Sequence, residues 1–590
     1  GKLLVNLGVP FGDDAWKRTD RCAWVAARPA TVDWLFFRAP PDRMREASGL
    51  LEAALHDAGK DVVTFRAFFY SLLLHRDVDR FQAVSLALFL ACLAMSAVVM
   101  AAVGLLTAMQ VGAALKYLDT QGASALVGLL VALLLLLPAS EVAIAAVQRL
   151  VARWVAPRRL PRLAFLDGIP EHARTMVVVP TLLTSVAGAE ELIEHLEVVA
   201  LGNLDPHIHF ALLSDFVDAP ACELPEDEPI LAAARNGIEA LNARHGAGRA
   251  DRFYLFHRRR QWNEAEGTWM GWERKRGKLE EFNALLRGSS DTSFVVRVGD
   301  CDLLHGVRYC LTLDSDTRLP RDAARKLIGV IAHPLNRPHF DAELGRVTEG
   351  YGILQPRVSV TMASAASSRF ARLYAGHTGV DPYTTAVSDT YQDLFGEGIF
   401  TGKGLYDVDA FSAALEGRVP ENALLSHDLF EGVHARTALV TDVEVVDDYP
   451  SSVLAHARRQ HRWVRGDWQI LRWLFPWVPS RAGLQRNRLP LIARWKIFDN
   501  LRRSLVAPAY VALFLLAWSL TPGSALVWTA ALLAAMAFPI YPLLLGALAG
   551  PGRQQPWRVF LGGLRDQGKT AVAQVLLQVT FLASEGYERA

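Results

Sequence analysis

Cysteine is scarce and scattered. Cys22, Cys92, Cys222, Cys301 and Cys310 include no Cys-x-x-Cys pair, which excludes a cysteine zinc site and a disulfide framework. The histidines form no compact cluster either; His207 with His209, and His456 with His461, read as structural. There is no G-x-S-x-G elbow and no G-x-G-x-x-G turn after a strand, so neither an elbow-type hydrolase nor a dinucleotide fold is indicated. Net charge is only +1, with a pI of about 7.9, and no global field recruits nucleic acid or an acidic partner. One motif is a decoy. The segment 563–570 matches G-x-x-x-x-G-K-T, but it follows a membrane-length run and has no α/β domain around it, so it is not read as a nucleotide loop.

Charge is absent from three long stretches, 81–115, 122–140 and 504–552. Hydrophobic residues make up 51% and mean hydropathy is +0.18, high for a chain with 21% charged residues. Residues 83–106 and the second run are long enough to cross a bilayer. Thr521-Pro522-Gly523-Ser524 divides the third into two spans. Arg149, Arg153, Arg158, Arg159 and Arg162 follow the second span, whereas the loop before it offers only Lys116. Arg494, Lys496, Arg502 and Arg503 precede the third run, and Arg553, Arg558, Arg565 and Lys569 follow it. This basic excess puts 150 onward in the cytosol, together with 1–80. The expected organisation is a cytosolic N-terminal segment without assigned chemistry (1–80), a transmembrane hairpin (81–150) and a cytosolic domain (151–480). A juxtamembrane helix (481–503) and two transmembrane helices (504–552) follow. A basic loop then leads into an interfacial helix or part of a further span (553–590). A start at Gly1 and a close soon after an apolar run give the expectation of an excerpt from a longer protein.

Within 151–480 the texture changes. Met176-Val177-Val178-Val179-Pro180 is a continuous apolar run, as in a strand buried on both faces. Segments 209–215, 253–256, 294–298 and 310–313 also read as strands, with helical patterns at 190–201, 229–245, 279–287 and 321–331. The alternation predicts an α/β domain on a parallel sheet, with ligands beyond the carboxyl ends of the strands. Asp215, and the pair Asp314 and Asp316, fall at such ends.

Each chemical candidate reads two ways. At a strand tip, Asp314 and Asp316 point to the same side and suit a hard divalent cation such as Mg²⁺ or Mn²⁺; equally, they are a turn before the helix at 321–331. Asp428 is a general base for an acceptor hydroxyl, or, with Glu431, a capping-box-like helix start. Arg458, Arg462 and Arg465 share a helix face that suits a diphosphate, or an anionic lipid surface. Trp463 offers a ring on which a sugar can stack. Gly402 and Lys403 lie in the glycine-rich segment 396–406, a tight turn or a border of an acceptor site. Lys275, Arg276 and Lys278 read as a solvated basic face.

Together these residues resemble membrane-embedded processive glycosyltransferases with a GT-A fold, the broad family that includes cellulose and hyaluronan synthases. In that family a first aspartate holds the nucleotide base, Asp-x-Asp binds metal and UDP, a later aspartate is the base, and Q-x-x-R-W cradles acceptor and diphosphate. This sequence departs from the last motif, with Arg459 at the glutamine position and Gln460 after it, and His427 precedes the base where Glu is usual. Longer stretches, 174–183, 396–409, 426–432 and 461–469, resemble the glycosyltransferase region of cyclic β-1,2-glucan synthases, over roughly 160–475.

That resemblance implies an α/β GT-A domain, Rossmann-like and built for a nucleotide sugar, inserted between transmembrane helices. It implies UDP-glucose as donor, touched by Asp215, Lys278, Arg462 and Arg465, and Mg²⁺ or Mn²⁺ on Asp314 and Asp316. Asp428 is then the base, and Trp463, Gly402 and Lys403 border the growing β-glucan acceptor. One base without a covalent nucleophile implies a single inverting displacement. The family also implies a multi-pass protein of the bacterial inner membrane, with cyclising and phosphorylase-like domains on the same longer chain. Two other readings stay open: another membrane β-glycosyltransferase, such as a cellulose-type synthase, and a transport or scaffold protein whose α/β domain only binds nucleotide.

Overall fold

The structure, a computed structural model, describes residues 78–155, 157–246, 251–375, 389–552 and 555–589. Nearly all of the segment 1–80 lies outside them. Two helices, α1 (Val78–Thr120) and α2 (Ala125–Trp154), open the described chain and pack against each other. Within them Ala97–Thr120 and Ala125–Ala152 are long and apolar enough to cross a membrane. The expected break at 116–121 falls late. No residue there stops a helix until Gly122, at φ +74°, so α1 continues past Lys116. Ser124 then caps α2 by accepting the Val127 N–H at 3.4 Å.

The α/β domain follows in chain order: β1 (Thr175–Leu183), α3 (Val186–Leu201), β2 (Ile208–Phe216), α4 (Asp227–His245), β3 (Phe253–Arg258), α5 (Arg274–Leu286), β4 (Phe294–Val298), β5 (Tyr309–Thr312), α6 (Ala323–Ala332), β6 (Ile353–Val360), β7 (Gly404–Asp407), α7 (Asp428–Ala435) and β8 (Thr437–Asp447). These strands form one sheet in the order β8-β6-β7-β5-β1-β2-β3-β4. Alternation along β1 explains its unbroken hydrophobicity. Val177 and Val179 enter the core on one face, and Met176 and Val178 enter the core on the other.

The sheet is mixed, which corrects the all-parallel expectation. β1, β2, β3 and β5 are parallel, as are β6 and β8, whereas β4 runs against β3, and β7 runs against both β5 and β6. Periodicity reports which residues are buried and is silent about strand direction. The reversal has a consequence for the site. Because β7 is inverted, its start, not its end, shares the edge formed by the carboxyl ends of β1, β2, β5, β6 and β8. Gly404 pairs with Thr312 there, so the residues before β7 meet the residues after β5.

Beyond the sheet come α8 (Val453–Gln469), α9 (Leu491–Ser504), α10 (Val506–Ser519), α11 (Ala525–Met536), α12 (Tyr541–Ala549) and α13 (Trp557–Arg589). The two spans expected at 504–552 are instead parts of bent pairs: α9 with α10 at 43°, and α11 with α12 at 51°. Pro539 lies in the single 3₁₀ turn that separates α11 from α12. The expected G-x-x-x-x-G-K-T decoy is helical throughout, inside α13. Side chains tie the sheet domain to the apolar helices. Arg502 bonds Glu141 of α2 at 2.8 Å, and Lys496 donates to the Gly398 carbonyl at 2.8 Å.

Candidate active site

β5 ends at Thr312, so Asp314 and Asp316 lie in the turn beyond it and not on the strand. That corrects the shared-side argument. The turn is closed by the Thr317 N–H bonding the Asp314 carbonyl at 3.0 Å. It is docked on β8, where the Thr317 hydroxyl donates to Asp447 at 2.7 Å and Arg318 pairs with Val446. Asp314 turns inward; Asp316 is exposed. Lys275 Nζ lies 2.5 Å from Oδ1 of Asp314, and Lys403 Nζ lies 2.9 Å from Oδ2. Burial pushes the Asp314 carboxyl up, but the two ammonium groups more than reverse this and hold it far below the usual carboxylate range. Burial and the Asp447 and Asp314 charges instead raise Asp316.

Lys403 is itself buried and also bonds Asp447 at 2.5 Å. It reaches both aspartates because of the inverted β7. Gly402, at φ +87°, makes the turn before it. A Cβ on Gly402 would stand 2.9 Å from both carboxylate oxygens of Asp428, so this position fits only glycine.

Asp428 opens α7, whose N-cap is His427 with no side-chain cap bond. The capping reading therefore fails, and the Asp428 carboxylate faces a cavity of about 400 Å³. Burial raises its pKa, Lys275 opposes this, and Asp314 adds to it. Behind it, burial and the Asp428 charge push Glu431 well above the usual range, and His427 is lowered to about 3, chiefly by burial. His427, Asp428 and Glu431 bring ligand atoms within 4.8 Å of one another.

The cavity is also lined by Lys403, Asp447, Arg459, Trp463 and Asp467, and by Glu141 and Arg503 at its apolar-helix end. Trp463 therefore lines the same cavity as Asp428, with the Arg459 guanidinium 4.9 Å from its ring centroid. Arg462 and Arg465 do not. They are exposed, on the face of α8 turned away from the cavity. Residues four and seven apart stay on one face of a helix, so the face through Arg459, Trp463 and Asp467 lines the cavity, and the face through Arg458, Arg462 and Arg465 does not.

Asp215 is the penultimate residue of β2 and is sealed in. Arg258 holds its oxygens at 2.7 and 2.8 Å, and Lys278 lies 3.0 Å away. A Cβ on Gly271 would stand 2.5 Å from the same carboxylate. Lys278 also donates to the Thr181 carbonyl at 2.6 Å, and burial lowers it to about 8. The basic segment 275–278 is thus not a solvated face. Lys275 points at Asp314, Arg276 is buried, and Lys278 points at Asp215. Sequence reasoning missed Lys275, Arg258, Asp447 and Arg459. Asp447 carried the same sign as Asp215, an aspartate at the end of an apolar run; Lys275 was visible only as one turn before Lys278.

Fold and site define the class: a Rossmann-like α/β domain of GT-A architecture, set between apolar helices, with carboxylates and lysines at its strand ends. The chain is 47% identical over 460 residues to cyclic β-(1,2)-glucan synthase NdvB of Rhizobium meliloti (strain 1021). It is a homologue of part of that synthase: the match takes in 77% of this chain and 16% of the relative. No protein-family model matches. Among solved structures, mannosyltransferase PcManGT from Pyrobaculum calidifontis, in complex with GDP-Man and Mn²⁺, aligns at 16% identity and a TM-score of 0.32, over 77% of this chain and 98% of its own. Galactosyltransferase LgtC, with donor and acceptor sugar analogues, aligns at 13% identity and a TM-score of 0.18, over 40% of this chain and 59% of its own.

Proposed function

We propose that this chain polymerises glucose from UDP-glucose into β-1,2-glucan by single inverting displacements at a cytosolic site. The observation that carries the reading is one cavity holding Asp428 and Trp463, with Asp314 bridged to it by Lys403. Asp428, with its raised pKa, takes the proton from the 2-hydroxyl of the terminal glucose, which then attacks the donor's anomeric carbon as UDP leaves. Trp463 carries the acceptor ring, and Gly402 leaves it room beside the base. Arg459 and the two lysines, Lys275 and Lys403, meet the departing diphosphate, in the role that the resemblance implied for Arg462 and Arg465. Asp215 acts on the donor side through Lys278 and Arg258, whose positions it fixes.

The turn fits a divalent metal by the chemistry of its donors. Asp314 is held ionised, and Asp316 adds a second, exposed oxygen pair. Mg²⁺ or Mn²⁺ held by these two residues supplies Lewis-acid neutralisation of the leaving group. The apolar helices and the arginines beside them fit a multi-pass protein of the bacterial inner membrane.

Linkage analysis of the product made from UDP-glucose tests the reading. 1,2-linked glucan is expected; 1,4-linkages alone would make this another membrane β-glycosyltransferase. Nucleotide binding without any transfer would make it a binding protein.

A further inference from the structure

A second cavity, about 500 Å³, lies outside the transfer site. A hairpin, Gln261–Asn263 against Thr268–Met270, builds one wall, and the loop before α7 builds the other. Trp262 is 53% exposed at its rim, held edge-on by Trp269 with ring centroids 5.9 Å apart. Trp272 lines the interior, steadied by guanidinium groups of Arg276 and Arg481 at 5.9 and 5.4 Å from its ring. Trp262 and Trp272 thus present indole faces, apolar with one polar N–H each, to a concave site.

The lining selects among ligands. It contributes indole rings, side-chain amides and the carboxylates of Glu264 and Glu421, with no lysine or arginine among its lining residues. The guanidinium groups on Trp272 are themselves paired, Arg276 with Glu273 and Arg481 with Glu280, so the acidic lining disfavours phosphate. It accepts a neutral polyol, whose C–H faces lie on indole and whose hydroxyls donate to the carboxylates of Glu264 and Glu421 and to the Gln261 amide oxygen. Charge therefore argues against a nucleotide and for a glycan.

The position argues for the protein's own product. Asn263 donates to Asn422 at 2.7 Å, and the Asn422 N–H bonds Glu273 at 2.6 Å. Glu273 lies two residues before Lys275, and Asn422 lies six before Asp428. Both walls are thus continuous in sequence with residues of the transfer site.

We infer that this hairpin cavity is a second subsite for the growing neutral glucan, away from the transfer point. The inference rests on the glucan-polymerase reading for its ligand. Its test is independent of transfer. The full chain in lipid nanodiscs, without UDP-glucose, is titrated with β-1,2-linked gluco-oligosaccharides by calorimetry. A Trp463→Ala background removes binding at the transfer site. In that background binding persists, Trp262→Ala weakens it roughly tenfold, the size expected of an aromatic anchor, and Trp262→Phe keeps it. Unchanged affinity in Trp262→Ala overturns the inference, as does absence of binding in the Trp463→Ala background, or preference for UDP or for 1,4-linked oligosaccharides. Retained glucan binding with no transfer from UDP-glucose overturns the polymerase reading and leaves the subsite standing.

Discussion

Gly402 and Asp428 are in such close approach that a single methyl group on the glycine would stand 2.9 Å from both carboxylate oxygens. The backbone at Gly402 is also left-handed, at φ +87°. Gly402→Ala therefore meets two penalties. The conformation costs about 1–3 kcal/mol for a residue with a side chain, and the base must shift. A displacement of roughly 1 Å costs on the order of 100-fold in rate. Transfer is expected to fall by at least that factor while thermal unfolding changes only modestly. A variant that loses stability and keeps its rate would remove Gly402 from the site.

Asp428 sets the acid limb of the pH profile. Its pKa is raised, first by burial, and a base works only when deprotonated. Activity should therefore fall as pH drops through a value above that of an ordinary aspartate, and be regained on raising pH. Asp428→Asn should lower kcat by about 10²–10⁴-fold and keep UDP binding. An unchanged acid limb in the residual activity of Asp428→Asn would assign that limb to another group.

Lys275 and a divalent cation contend for the same oxygen. The Lys275 ammonium is 2.5 Å from Oδ1 of Asp314, and a metal on Asp314 has to share or displace it. Lys275→Gln should thus bind Mn²⁺ more tightly, read by electron paramagnetic resonance, yet transfer more slowly because a diphosphate contact is lost. Lys403→Met differs. Lys403 and Asp447 are both buried, and stranding that carboxylate should cost about 3–5 kcal/mol of stability. Weaker Mn²⁺ binding in Lys275→Gln would mean that the lysine supports the metal instead of competing with it.

What the sequence made legible was chemistry at element ends. Asp215 and Asp314 stood out because each closes an apolar run, whereas Asp428 opens a helix, where an aspartate is ordinary, and was singled out by the motif around it. The mixed sheet did not show, because burial periodicity is the same for a strand running either way. That one omission hid the partnership of Lys403 with Asp314 and Asp447, which exists because β7 enters the shared edge by its start. Lys275 was hidden for a different reason. A basic run of this kind usually faces solvent, and only the depth of the aspartates opposite makes it an inward face. On α8 the heptad-like spacing correctly grouped Arg458, Arg462 and Arg465, but spacing cannot tell which face of a helix meets a cavity.

That last point separates the two faces of α8 by experiment. Arg459 lines the cavity beside Trp463, and Arg462 and Arg465 are exposed away from it. Charge-assisted contacts to a diphosphate are worth about 1.5–3 kcal/mol each, equivalent to roughly 10–150-fold in kcat/KM. Arg459→Gln should lose an amount in this range for UDP-glucose. The double variant Arg462→Gln with Arg465→Gln should lose less than Arg459→Gln alone, because neither guanidinium lines the cavity. Steady-state rates in one lipid nanodisc preparation, with folding checked by thermal unfolding, decide between them. If the double variant is the more impaired, the arginine face closes onto the diphosphate during turnover, and the cavity around Asp428 is the open form of the site.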